Sequence, residues 1–298
     1  MTQAVRTPLR IVAADGYELA AVLHRPAARG APTHAVLVCA GGGIPAGFYG
    51  AFADALAARG AAVLCFDYRG IGASRPRRLR GFAATLEDWA ELDCAAALAW
   101  LGERFPVLPR RAVAHSVGCL VLVGAPNASE LERVLFVGPH TGYVGDYAAR
   151  WRLPMRLFWH GLMPALARTL GYFPGRALGL GSDLPAGFAL QWARRTVPEF
   201  ALTNERARRG LARMRALSLE VLAFTFSDDA FATAAGRERL LGYLPALRVE
   251  RCTLAPREAG LTRVGHLGFF RRANAHALWP AALAWLLSVP PGPRAGTR

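Results

Sequence analysis

Ala114-His115-Ser116-Val117-Gly118 sits between the apolar residues Ala112 and Val113 and a second apolar run, Cys119-Leu120-Val121-Leu122-Val123. Small, any, serine, any, small is the pattern of a nucleophile elbow, in which a strand turns sharply into a helix. The serine at the apex takes a strained backbone conformation that lifts its hydroxyl clear of the sheet. Its flanking positions must be small, because strand and helix nearly touch there. Gly118 meets that need, and Ala114 stands where glycine is more usual. If Ser116 is a nucleophile, the rest of the chain must supply a base, an acid and two donors for an oxyanion.

Outward from the elbow, the texture is alternating apolar strands and helices. Leu9 to Val12 and Glu18 to His24 flank Asp15-Gly16, a hairpin signal. Ala35 to Cys39 is a short apolar run of the kind found in buried parallel strands, and it ends in Gly41-Gly42-Gly43. A helix is predicted from Tyr49 to Arg59, a strand from Ala61 to Phe66, and a long amphipathic helix from Glu87 to Leu101. Arg111 to Ala114 then lead into the elbow, and Arg133 to Gly138 form the next strand. This alternation predicts an α/β fold with a mostly parallel sheet wrapped by helices.

From about Thr141 to Glu205 the chain is rich in Trp, Phe, Tyr, Pro and Gly and shows no clear strand. Strand texture resumes at Leu219 to Phe226. The predicted organisation is therefore a first part of the core (1–140), a helical cap insertion (141–216), a second part of the core (217–289) and a disordered tail (290–298).

A serine hydroxyl needs a base to take its proton. Of the seven histidines, His266 has the right setting, in Val264-Gly265-His266-Leu267-Gly268 late in the chain. The glycines let the backbone aim the imidazole. The strand ending in Phe226-Ser227 offers Asp228 and Asp229 to orient that ring. Successive residues leaving a strand point in opposite directions, so only one should face it. Asp228 is preferred as the first carboxylate past the strand, with Asp229 as the alternative. The order Ser116, aspartate, His266 is that of the α/β-hydrolases, not of chymotrypsin-like or subtilisin-like proteases. Backbone amides of Val117 and Gly42, with Gly41 as alternative, are the candidate oxyanion donors. His115, Ile44 and His140 are candidate pocket-lining residues. A serine here excludes dehalogenation through a carboxylate nucleophile.

Composition narrows the classes. The chain has 298 residues, 53% of them hydrophobic and only 19% charged, enough to bury a sizeable core. Its net charge of +15 comes entirely from arginine, since there is no lysine. The arginines are spread along the chain without a recognition motif, which argues against nucleic acid as a partner. They leave weak association with an anionic membrane surface open. Five scattered cysteines without a CxxC pair indicate a reduced, cytoplasmic protein. No signal core and no membrane-length apolar run is expected. The three glycines lack GxGxxG spacing and a P-loop lysine, so a nucleotide site is not indicated.

Taken together, these segments resemble a bacterial predicted-hydrolase group of the α/β-hydrolases, related to serine aminopeptidase-like and monoacylglycerol lipase-like enzymes. The resemblance rests on Asp15-Gly16 with Leu19, Gly43-Ile44-Pro45 with Phe48-Tyr49, Phe66-Asp67-Tyr68-Arg69-Gly70-Ile71-Gly72-Ala73-Ser74, the elbow, Asp228-Asp229 and Gly265-His266-Leu267-Gly268-Phe269-Phe270. Within the cap it extends to Gly171-Tyr172-Phe173-Pro174-Gly175-Arg176 and Asp183-Leu184-Pro185. It implies the α/β-hydrolase fold with an inserted cap, a Ser-His-Asp triad, and neither cofactor nor metal. The expected activity is cleavage of a carboxylic ester with a hydrophobic, medium-length acyl group through an acyl-enzyme. The alternatives are an aminopeptidase or amidase, or a non-catalytic ligand-binding protein on the same fold. An aminopeptidase would want a cap carboxylate for its substrate's amine, from Asp146, Asp183, Glu199 or Glu205. The oligomeric state is left open.

Overall fold

The computed structural model of the chain describes residues 4–27, 30–196 and 205–288. Its strands are β1 (Val5–Val12), β2 (Glu18–Arg25), β3 (His34–Cys39), β4 (Ala61–Phe66), β5 (Arg110–His115), β6 (Arg133–Val137), β7 (Tyr172–Phe173), β8 (Leu184–Pro185), β9 (Glu220–Phe226) and β10 (Arg248–Leu254). Eight of them form one sheet in the order β1-β2-β4-β3-β5-β6-β9-β10. β1, β2 and β4 pair antiparallel, and every pairing from β4 to β10 is parallel. This is the mostly parallel sheet of the α/β-hydrolase fold.

The central strands β3 to β6 carry almost unbroken runs of Val, Leu, Ala and Phe, and nearly all of these residues are buried. Helices cover both faces, so alternation is not needed there. Each fully buried Val or Leu contributes about 1.5–3 kcal/mol. β10 went unnoticed in the sequence. It is an edge strand, and its Arg248, Glu250 and Arg251 face solvent and dilute the apolar signal.

The predicted helix from Glu87 to Leu101 is in fact three segments: Leu86–Asp88, a wide π turn over Trp89–Cys94, and Ala95–Arg104. A capping box between Thr85 and Asp88 starts it. The π turn carries Trp89 and Asp93 inward, and Asp93 accepts from both the backbone N–H and the Nε of Arg69, at 2.8 and 2.7 Å.

Between β6 and β9 the chain leaves the sheet. It forms the helices Ala149–Leu157 and Met163–Leu170, then Ala186–Trp192, then Glu205–Ala216. Contrary to the strandless expectation, β7 and β8 pair there as an antiparallel ribbon. Two residues apiece is too short a run for any periodicity to show in sequence. The region is pinned to the core by a stack of rings. Tyr68 lies on Trp89 at 4.8 Å, Trp89 on Phe188 at 4.2 Å, and Phe188 on Trp192 at 5.8 Å. It also reaches the glycine loop, where Ser182 N–H donates to the Gly43 carbonyl at 2.8 Å. The tail 290–298 lies outside the described residues, as does Glu199. No described helix is long and apolar enough to cross a membrane.

Candidate active site

The register aligns the C-terminal ends of the parallel strands: Cys39 pairs with Ala114, His115 with Val137, and Val137 with Phe224. The glycine loop, the elbow, Gly138-Pro139-His140 and the Asp228-Asp229 turn therefore emerge along one edge, where open α/β sheets bind ligands.

Ser116 sits at φ 55°, ψ −124°, and among the described residues it alone is a non-glycine with positive φ. Such a conformation costs about 1–3 kcal/mol and survives only when its surroundings over-determine it. The helix Val117–Gly124 begins directly behind it. A Cβ on Gly118 would lie 2.5 Å from the carbonyl oxygens of both Cys39 and Ala40, so nothing larger than glycine fits there. Ala114 is accommodated, fully buried, within the core cluster.

His266 Nε2 is 2.9 Å from Ser116 Oγ, and His266 Nδ1 is 2.8 Å from Asp229 Oδ2. Asp229 Oδ1 also accepts the N–H groups of Phe231 and Ala232, at 2.9 and 3.0 Å. Burial would raise this carboxyl, but the adjoining His266 and the two amides outweigh it and hold it down at about 2. Asp229 is therefore ionised and can only accept, which puts the proton on His266 Nδ1 and leaves the Nε2 lone pair facing the serine.

This corrects the preference for Asp228, which does not face the ring. Its two oxygens accept the backbone N–H groups of Val264 and Gly265, each at 2.9 Å. Residues 227 and 228 already form a turn, with Asp229 N–H bonded back to Phe226 O, so strand alternation no longer decides direction. One aspartate holds the histidine's loop and its neighbour holds the ring.

The Gly41 N–H donates to Tyr49 Oη at 2.8 Å and is thereby committed. The Gly42 amide has no such partner among the described residues, and Gly42 is exposed beside Val117 and Phe188. The Val117 amide stands in the first turn of its helix, where N–H groups lack intrahelical acceptors. Ile44, half-buried, closes a turn onto the Gly41 carbonyl.

His115 is not a pocket wall. It is fully buried, behind the serine. Its Nε2 lies 2.9 Å from the His266 carbonyl oxygen and its Nδ1 lies 2.8 Å from Tyr49 Oη. Gly41, Tyr49, His115 and the His266 backbone thus form one hydrogen-bonded brace. The sequence marked Tyr49 only as a helix start and a motif residue; its bond to His115 was not foreseen, because the contact spans 66 positions and no local spacing marks it. His140 is only 4% exposed, and its Nε2 lies 3.1 Å from Ser116 Oγ. Its place one residue beyond Gly138-Pro139 signalled nearness to the site but not that contact.

The family described as serine aminopeptidase, S33 matches residues 30–217. No curated protein sequence matches the chain. Among solved structures, an esterase from Exiguobacterium antarcticum shares 13% identity over 95% of this chain and 100% of its own, with a TM-score of 0.58. The esterase domain of a Rhodothermus marinus protein shares 18%, covering 94% and 97%, with a TM-score of 0.57. A thermostable carboxyl esterase from Bacillus coagulans shares 14%, covering 84% and 90%, with a TM-score of 0.53. Likeness at these identities is likeness of fold.

Proposed function

The chain belongs to the serine aminopeptidase, S33 family of α/β-hydrolases, and from that premise we propose that it cleaves a hydrophobic carboxylic ester through an acyl-enzyme. Ser116 is the nucleophile, His266 the base and Asp229 the acid that orients the base. One observation carries this reading: the unbroken line from Ser116 Oγ to His266 Nε2 at 2.9 Å and from His266 Nδ1 to Asp229 Oδ2 at 2.8 Å. As Oγ attacks the carbonyl, its proton passes to Nε2, and Asp229 stabilises the imidazolium that results. The amides of Val117 and Gly42 receive the developing oxyanion. The alcohol leaves with the proton from His266, and water repeats the cycle to release the acid.

The cap supports ester over peptide chemistry. A free α-amine would need an uncommitted carboxylate, and two of the four candidates are committed: Asp146 is clamped by Arg239 and Asp183 by Arg75 and the Arg176 N–H. Glu205 pairs with the exposed Arg208 and Arg209 of its own helix, and Glu199 lies outside the described residues. Aromatic side chains such as Phe188, Trp192 and Phe231 surround the strand ends and suit an apolar acyl group.

A second reading, work at an anionic membrane surface, is favoured by the helix Ala149–Leu157. It buries none of its residues, exposes Trp151, Leu153 and Leu157, and interleaves them with Arg150, Arg152 and Arg156.

The test is labelling by a fluorophosphonate probe, followed by p-nitrophenyl esters of graded chain length. Labelling of the wild type, lost in both Ser116→Ala and His266→Ala, is the expected result. A folded wild type that neither labels nor hydrolyses any ester sinks the reading. Flotation with phosphatidylglycerol vesicles, reversed by salt, is expected if the membrane reading holds, and no flotation at low salt overturns it.

A further inference from the structure

Two imidazoles meet the same serine oxygen, one at 2.9 Å and the other at 3.1 Å. They present opposite polarity to it. His266 carries its proton on Nδ1, toward Asp229, and offers a lone pair to Ser116. In His140 the arrangement is reversed. The Gly142 N–H donates to His140 Nδ1 at 3.0 Å, so that nitrogen bears a lone pair. The proton of a neutral ring must then lie on Nε2, pointing at Ser116 Oγ. The ring is neutral because it is buried and stands beside His266, and its titration is pushed down to about 3.

The ring is also fixed in place. Trp192 and Tyr147 meet it edge to face at 6.0 and 6.3 Å, and His266 lies 5.7 Å away. A Cβ on Gly236 would sit 3.2 Å from His140 Cβ, so the helix Ala234–Gly242 closes the far side. Gly142 can present its N–H because φ of +83° turns the chain back beneath the imidazole.

We propose that His140 is a further catalytic residue, a permanent N–H donor to Ser116 Oγ that stabilises negative charge on this oxygen in both halves of the reaction. In acylation Oγ forms its bond to carbon while its proton moves to His266. One lone pair attacks, and the other stays bound to His140. In deacylation water adds to the acyl carbon and gives a proton to His266. The C–Oγ bond then breaks with its electron pair on Oγ, which takes that proton back from His266. His140 keeps its own proton throughout. A fixed donor at an atom that gains charge acts as an oxyanion-hole donor does, but on the nucleophile and leaving oxygen instead of the carbonyl oxygen.

This inference rests on the acyl-enzyme reading, and its tests separate the two. His140→Phe keeps a ring and removes the donor, whereas His140→Gln restores a side-chain N–H. Fluorophosphonate labelling and p-nitrophenyl butyrate kcat are expected to fall about 10²-fold in His140→Phe, with KM changed less than about threefold. His140→Gln is expected to recover at least about tenfold of that loss. Wild type that labels while a folded His140→Phe labels equally fast overturns the proposal and leaves the hydrolase reading intact. A folded wild type that does not label overturns both. Nitrogen-15 NMR of the wild type and Ser116→Ala gives a measure independent of activity and of how His140→Phe folds. His140 is expected as the Nε2–H tautomer, with that proton moving upfield when Ser116 is removed, and an Nδ1–H tautomer overturns the proposal.

Discussion

The elbow and the helix Ala149–Leu157 stand at opposite extremes of constraint. At the elbow every residue from Ala114 to Gly118 is buried and the backbone is strained. A methyl on Gly118 would collide with two carbonyls. The helix Ala149–Leu157 is nine residues long and buries none of them. The difference teaches where this fold tolerates change and where it does not. Groups that move protons must be held within tenths of an ångström, so few residue types are allowed. A solvent-facing helix surface is compatible with many side chains.

The sharpest way to break this comparison is at the two adjacent aspartates. Asp229→Asn is expected to lower kcat about 10⁴-fold, because the ring loses its charged partner and settles in the wrong tautomer. Asp228→Asn removes an acceptor from the Val264 and Gly265 amides and is expected to cost about 1–3 kcal/mol of stability, seen in urea unfolding, with a far smaller loss of kcat. Equal kcat losses in the two variants would show that ring and loop cannot be told apart.

Next comes Gly118→Ala. Overpacking against backbone that cannot yield is expected to cost about 3 kcal/mol or more in thermal unfolding, with activity lost alongside, since the displaced carbonyls belong to Cys39 and Ala40 at the entrance to the glycine loop. Unchanged stability would mean that strand and helix have more slack than the contacts imply.

Acid is a third probe. Burial pushes His115 and His140 down to about 3, from about 6.5 in an unfolded chain. Between those values the unfolded chain takes up two protons that the folded chain refuses. Stability is therefore full above about pH 6.5 and declines as pH falls toward 3. His115→Gln is expected to reduce the slope of unfolding free energy against pH by about one proton within this window. A slope identical to wild type would place that proton elsewhere.

The smallest effects belong to the cap. Leu153→Ser with Leu157→Ser is expected to change stability by no more than about 0.5 kcal/mol, because these side chains are 66% and 65% exposed. Hydrolysis of a short water-soluble ester should stay within about twofold by the same argument, while vesicle flotation should drop.

The same gradient of constraint governs what the sequence disclosed. The parallel core was legible because β3 to β6 must be apolar throughout, and the turn into the elbow because only small residues fit around Ser116. The setting of His266 between glycines was legible for the same reason. Asp228 was preferred over Asp229 because alternation along a strand says nothing once the chain has entered a turn. His115 was misplaced because it ends strand β5 and points into the core. The brace from Tyr49 and the contact from His140 were hidden because both join residues far apart in the chain, with no periodicity to announce them. β10 and the short β7–β8 ribbon escaped for lack of length or apolar character.

The bond from Ser182 to Gly43 ties the segment between β6 and β9 to the glycine loop. A segment that donates to a carbonyl of the glycine loop cannot be exchanged as a free module. Any graft that omits Gly181-Ser182-Asp183 leaves that carbonyl without its donor and the loop without its splint. Within the segment between β6 and β9, the helix Ala149–Leu157, which buries none of its residues, can therefore be exchanged with less disturbance to the glycine loop than the β7–β8 ribbon.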